Sequence, residues 1–138
     1  MLSSPGSTAA RPDAGVPAWH ARRVLADWST VRVHPVDLQP ARDGVRVRAV
    51  VRLGALAPAD VHVELRPAAR TDEARARSRA MWSVQAYDNG CYVFEATLGH
   101  QDLAADVAWM VRVRPRAPLP APDVLLRLRL HAPHVIPS

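Results

Sequence analysis

From Val31 onward the chain alternates apolar and polar residues with a period of two, in short runs broken by turn formers. Such a pattern puts every second side chain on one face of an extended strand, so each run can cover a core and still meet water. In the run Val45 to Leu53 the odd positions are all apolar, and Arg46, Arg48 and Arg52 stand between them. Val61, Val63 and Leu65 repeat the pattern, with His62, Glu64 and Arg66 outward. Ala80, Trp82, Val84 and Ala86 form a weaker inward set. Asp88-Asn89-Gly90 then predicts a tight hairpin turn with positive φ, and Tyr92, Phe94, Ala96 and Leu98 return along the partner strand. Val107, Trp109, Val111 and Val113 make the next strand, ended by Pro115, and Val124, Leu126, Leu128 and Leu130 the last. With the segment Val31 to Val33 this amounts to about seven strands, which predicts an all-β fold: an immunoglobulin-like antiparallel β-sandwich over residues 31–138. Ala68 to Arg79 interrupts the strands with alternating charges and reads as an exposed loop with a helical turn in which Glu73 faces Arg77.

The segment ahead of the strands has a different period. Ala18, Ala21, Leu25 and Trp28 fall on one helical face, which predicts a short N-terminal connector helix over 18–30 with Arg22, Arg23 and Asp27 in solvent. Residues 1–17, rich in Ser, Gly, Pro and Ala, read as a disordered leader. They lack the apolar stretch of a signal peptide, and no run in the chain reaches the length needed to span a bilayer, so the expected location is cytoplasmic. The single cysteine, Cys91, can form no internal disulfide and fits a reducing compartment.

The formal charge of +5 invites a polyanionic partner, but all 18 basic residues are arginine. A GC-rich genome favours Arg, Ala and Pro codons over those for Lys, Ile, Asn and Phe and accounts for the bias without a phosphate ligand. Arg46, Arg48, Arg52, Arg66, Arg112, Arg114, Arg127 and Arg129 alternate outward, while Trp82, Tyr92, Phe94 and Trp109 fall on inward positions. An outward aromatic platform for stacking bases is therefore not expected, and neither a nucleic-acid nor a membrane partner is.

Catalytic constellations are sparse. His131 and His134 are the closest histidine pair but have no Cys and only scattered Asp to complete a metal site. No Gly-x-Ser-x-Gly, Gly-x-Gly-x-x-Gly or Gly-Lys-Ser/Thr motif occurs, and Cys91 follows directly on a hairpin turn, where a structural or solvent-facing thiol is the ordinary outcome. If the chain were an independent enzyme, its site would have to gather His100, Asp102, Asp106 or His131 at one end of the sandwich.

The run from Gly44 to Leu65, with the core Leu53-Gly54-Ala55-Leu56-Ala57-Pro58-Ala59-Asp60-Val61-His62-Val63-Glu64-Leu65, resembles the C-terminal β-sandwich of bacterial α-glucan (glycogen or maltodextrin) phosphorylases, in particular the long actinobacterial type. The helix ending at Trp28 and leading into Val31-Arg32-Val33 is similar to that family's tryptophan-marked connector. Gly90-Cys91-Tyr92-Val93-Phe94-Glu95 and Val111 to Leu119 are similar to its last strands. On the residues alone, Gly54 permits a strand exit, Pro58 fixes a turn and Asp60 can cap the loop into the next strand.

The resemblance implies a place beside phosphorolysis, in which inorganic phosphate attacks the terminal α-1,4 linkage and releases glucose 1-phosphate, with pyridoxal phosphate held on a lysine. The family's catalytic body would lie N-terminal to the matched residues, so the chain is expected to be a fragment, a split gene product or a stand-alone relative. It is expected to carry no cofactor or metal and to be non-catalytic itself. The expected partners are a phosphorylase catalytic body and, weakly, α-glucan. The expected docking surface comprises Trp19, Leu25, Trp28, Arg112, Arg114, Arg127 and Arg129.

Overall fold

The period-two runs pair into two antiparallel sheets, in a computed structural model that describes residues 17–35, 37–69, 71–103 and 108–129. The pairing at the centre of the first sheet follows from the pattern itself. β3 (Gly44–Arg52) lies along β7 (Cys91–Gly99) with Val45 opposite Leu98, Val47 opposite Ala96 and Ala49 opposite Phe94, so both strands send their apolar alternation to the same face. β1 (Arg32–Val33) and β2 (Asp37–Ala41) share the far side of β3, and β6 (Trp82–Ala86) closes the other edge beyond β7. The second sheet runs β5 (Arg79–Ala80), β4 (Val61–Pro67), β8 (Ala108–Pro115), β9 (Val124–Arg129). Between the sheets lies one core in which Val47, Val51, Leu53, Leu65, Leu98, Trp109, Val111 and Val113 are fully buried. The all-β, two-sheet expectation holds. Nine strands are described where about seven were counted: β2 was missed because its Asp37-Leu38-Gln39-Pro40-Ala41 is an edge strand interrupted by proline, and β5 because it is two residues long.

Two local expectations need correction. Trp82 and Val84 do not face the core but are 68% and 50% exposed. Trp82 stands opposite Glu95, an outward position of β7, and the register shifts between Ser83 and Gln85, so β6 sends no side chain inward and Met81 fills the core at the crossing between sheets instead. The helix α1 (Ala18–Asp27) forms, followed by a 3₁₀ turn at Trp28–Thr30, but its inward side is set by Val24 and Trp28; Leu25 is exposed.

The turns follow their glycines. Gly54, at the exit of β3, has φ +63° and Gly90 has φ +78°, whereas Asn89 keeps a negative φ, so the hairpin turn is left-handed at Gly90 alone. The Gly90 carbonyl accepts the amides of Leu53 (2.8 Å) and Gly54 (3.3 Å), locking the β6–β7 turn onto the end of β3. The interrupting segment contains the short helix α2 (Asp72–Ala76), capped by the Thr71 hydroxyl; Arg77 does not turn to Glu73 but lies over the Trp109 ring at 5.5 Å.

Candidate docking and ligand surfaces

Helix α1 is clamped to one end of the sandwich by three contacts that its sequence supplies. Val24 is buried, Trp28 donates its indole N–H to the Pro122 carbonyl at 2.6 Å, and His20 Nε2 meets Asp60 Oδ1 at 3.1 Å. Asp60 does double duty, because its Oδ2 accepts the Ala57 amide at 2.8 Å and closes the Pro58–Asp60 turn that leads into β4. Of the expected docking residues on this helix, Trp28 is therefore a core residue rather than a surface one: it is 4% exposed with its polar atom satisfied inside. Trp19, 59% exposed, and Leu25 remain on the solvent side with Arg22 between them.

The expected arginines do not form one free patch. Arg112 sits on the outer face of the second sheet in an ion pair with Glu64, a carboxylate only 7% exposed, and its Nη1 reaches Asp123 at 3.5 Å. His62 stands 3.6 Å from the same Glu64, and its pKa lies below the ordinary imidazole value, through partial burial first and the neighbouring Arg114 second, against the raising effect of Glu64. Arg114 is opposite His62 in the register and exposed. Arg127 is exposed and lines an open groove with Arg77, Glu73 and Thr71; Arg129 belongs to β9, opposite Ala108. Arg112 is thus engaged within the fold, while Arg114 and Arg127 are exposed.

The first sheet's outer face carries what the sequence concealed. The register aligns Trp82, Glu95, Arg48 and Asp37 in one row across four strands, with Thr97, Arg46 and Gln39 in the adjoining row. Glu95 pairs with Arg48 Nε at 3.4 Å and Arg46 Nε at 3.8 Å. Beside the Trp82 ring an open groove of about 410 Å³ is lined by Arg79, Ala80, Glu95, Ala96 and Thr97.

Of the residues an enzyme site would have to gather, His100 and Asp102 are described. His100, the first residue of helix α3 (His100–Leu103), is exposed, while Asp102 is buried: its Oδ2 accepts the Gly99 amide at 3.0 Å and its Oδ1 faces Arg79 at 3.4 Å. That carboxylate anchors the turn after β7. Asp106, His131 and His134, like residues 1–16 of the expected leader, lie outside the described residues. Among the described residues no group of three or more His, Cys, Asp or Glu could hold a metal ion, and no helix is long and apolar enough to cross a membrane. Cys91 is buried. Pyridoxal phosphate does not fit this chain, which has no lysine for an imine to form on.

Comparisons with curated proteins and with solved structures return no match. The sequence pattern of the family described as the glycogen phosphorylase C-terminal domain matches residues 28–129, from the buried Trp28 to the last residue of β9. Since that interval takes in both sheets and most of the sequence, the chain belongs to the glycogen phosphorylase C-terminal domain family.

Proposed function

We propose that the chain is a non-catalytic accessory module related to the α-glucan phosphorylases, of the long actinobacterial type, which docks in the cytoplasm on a phosphorylase catalytic body through helix α1. One observation carries this reading: Trp19 and Leu25 are left on the solvent side of a helix that is itself held rigidly against the sandwich and that ends where the family match begins. An exposed Trp on a fixed helix is the kind of anchor that dominates protein interfaces. The position of α1, immediately N-terminal to the matched domain, is the side on which a catalytic body precedes a C-terminal domain. Read as strands A to G, the sheet orders A-B-E-D and C′-C-F-G support the immunoglobulin-like form of the module. The pairing of Arg46 and Arg48 with Glu95, and of Arg112 with Glu64 and Asp123, supports solvated or internally used arginines over a nucleic-acid face.

The test is co-elution of the chain with an α-glucan phosphorylase catalytic body lacking its own C-terminal domain. The complex is expected for the wild type and lost in the Trp19→Ala, Leu25→Ala double variant at unchanged melting temperature. A complex that survives the double variant overturns α1 as the docking element. Weak binding of α-glucan is the second reading, favoured by the exposed Trp82.

A further inference from the structure

We infer that the outer face of the first sheet around Trp82 is a contact site for a neutral α-1,4-glucan chain; the identity of the sugar rests on the phosphorylase reading, the location on the geometry alone. Trp82 is 68% exposed and belongs to a strand, with its position fixed by pairing to Glu95 rather than by a loose loop. An indole face laid open to water in this way is suited to the C–H face of a sugar ring, and carries an N–H for a hydroxyl. Sugar hydroxyls need fixed donors and acceptors next to that ring. The row Trp82, Glu95, Arg48, Asp37 supplies them in order across four strands, and Thr97, Arg46 and Gln39 supply a second set alongside. At about 4.8 Å between strands the first row extends roughly 14 Å, a length suited to a short oligosaccharide.

The groove beside Trp82 extends the surface. β7 continues from Ala96 to Gly99 past Glu95, whose partner Trp82 is the first residue of β6, so beyond that point β6 no longer flanks its backbone, and the space of about 410 Å³ opens there. Arg79 and Thr97 line it with polar groups, and the exposed Ala80 leaves room for a ring.

The composition of the surface selects its occupant. A docking protein wants an interface centre depleted of charge, but here an Arg–Glu–Arg cluster adjoins the only ring in the row. A nucleic acid wants uncommitted cations, but Arg46 and Arg48 already share Glu95, and Asp37 stands opposite Arg48, so a phosphate would meet carboxylates. A neutral polyhydroxylated chain uses the same guanidinium–carboxylate pairs as they stand, as donors and acceptors together.

The experiment titrates the whole chain with maltoheptaose, and separately with a thymidine oligonucleotide, by calorimetry and by the shifts of the indole N–H signals. The wild type is expected to bind maltoheptaose saturably with Kd on the order of millimolar, with the Trp82 indole among the shifted signals. Trp82→Ala should weaken binding about tenfold while keeping its melting temperature, Trp82→Phe should retain most of the affinity, and Trp19→Ala should change nothing. Equal binding by wild type and Trp82→Ala overturns the location. Absence of maltoheptaose binding, or salt-sensitive oligonucleotide binding in its place, overturns the ligand. A chain that fails here and still co-elutes with a catalytic body through α1 leaves the docking reading standing, and the converse result separates the two in the other direction.

Discussion

Glu64 shows how one residue on a water-facing strand position can become part of the fold's interior chemistry. Its carboxylate alternates outward from the core yet is only 7% exposed, because Arg112 of the neighbouring strand covers it and His62 approaches from its own strand. Removing the covering cation leaves an ion with few partners and little water, which costs more than removing both charges. Arg112→Ala is therefore expected to lower unfolding free energy by roughly 2–3 kcal/mol, against about 1 kcal/mol for Glu64→Gln, which keeps the shape and drops the charge. Chemical denaturation of the two variants checks the order; an Arg112→Ala variant no less stable than Glu64→Gln would remove the physical basis for calling this pair structural. The outward position of Glu64 was legible in the alternation of β4. Its burial was not, since that depends on which residue of a strand nearly fifty positions away lies opposite, namely Arg112.

At the scale of elements, α1 and β6 are the two whose orientation the sequence did not settle. A helical stripe through Ala18, Ala21, Leu25 and Trp28 and one through Val24 and Trp28 share Trp28 and differ by a small rotation. The second is chosen because the Trp28 indole reaches Pro122, at a sequence separation of 94, while His20 reaches Asp60. Trp28→Phe should lose about 1–2 kcal/mol by stranding the Pro122 carbonyl, and Trp28→Ala about 3–5 kcal/mol through the cavity added to it. Trp19→Ala on the same helix should stay within about 0.5 kcal/mol of the wild type. Melting curves of the three variants measure this; a Trp19→Ala loss matching that of Trp28→Ala would mean that the helix packs by its other side. In β6 the apolar alternation of Trp82 and Val84 has the same period as a buried strand, and periodicity carries no sign: it tells that two faces differ, not which one meets the core. The partner Glu95 and the shift at Ser83 supply that sign.

For the whole molecule, the groupings seen among the described residues are those of surfaces. Asp102, one of the residues an enzyme site would have to gather, is committed to the Gly99 amide and Arg79. The chain also offers no lysine to hold pyridoxal phosphate. Incubated with glycogen, inorganic phosphate and pyridoxal phosphate, the purified chain is expected to release no glucose 1-phosphate above a blank. Sustained release would overturn the non-catalytic reading and move attention to residues outside the two surfaces.

What the amino-acid order determined by itself was whatever depends on neighbours in sequence. The strands β3, β4, β7, β8 and β9 follow from period-two alternation, the Gly54 and Gly90 turns from backbone freedom, and the Asp60 cap from a side chain three residues from its amide. The family, too, was legible in the run ending at Leu65, because a local motif needs no third dimension to be seen. What only the tertiary structure decided was every property set by partners distant along the chain: that Trp28 is core, that Arg112 is spent on Glu64, and that Trp82 stands in water beside Glu95 and Arg48. Burial is a relation between surfaces that meet only when the sheets close, and one strand's register against another fixes it; the strand alone does not.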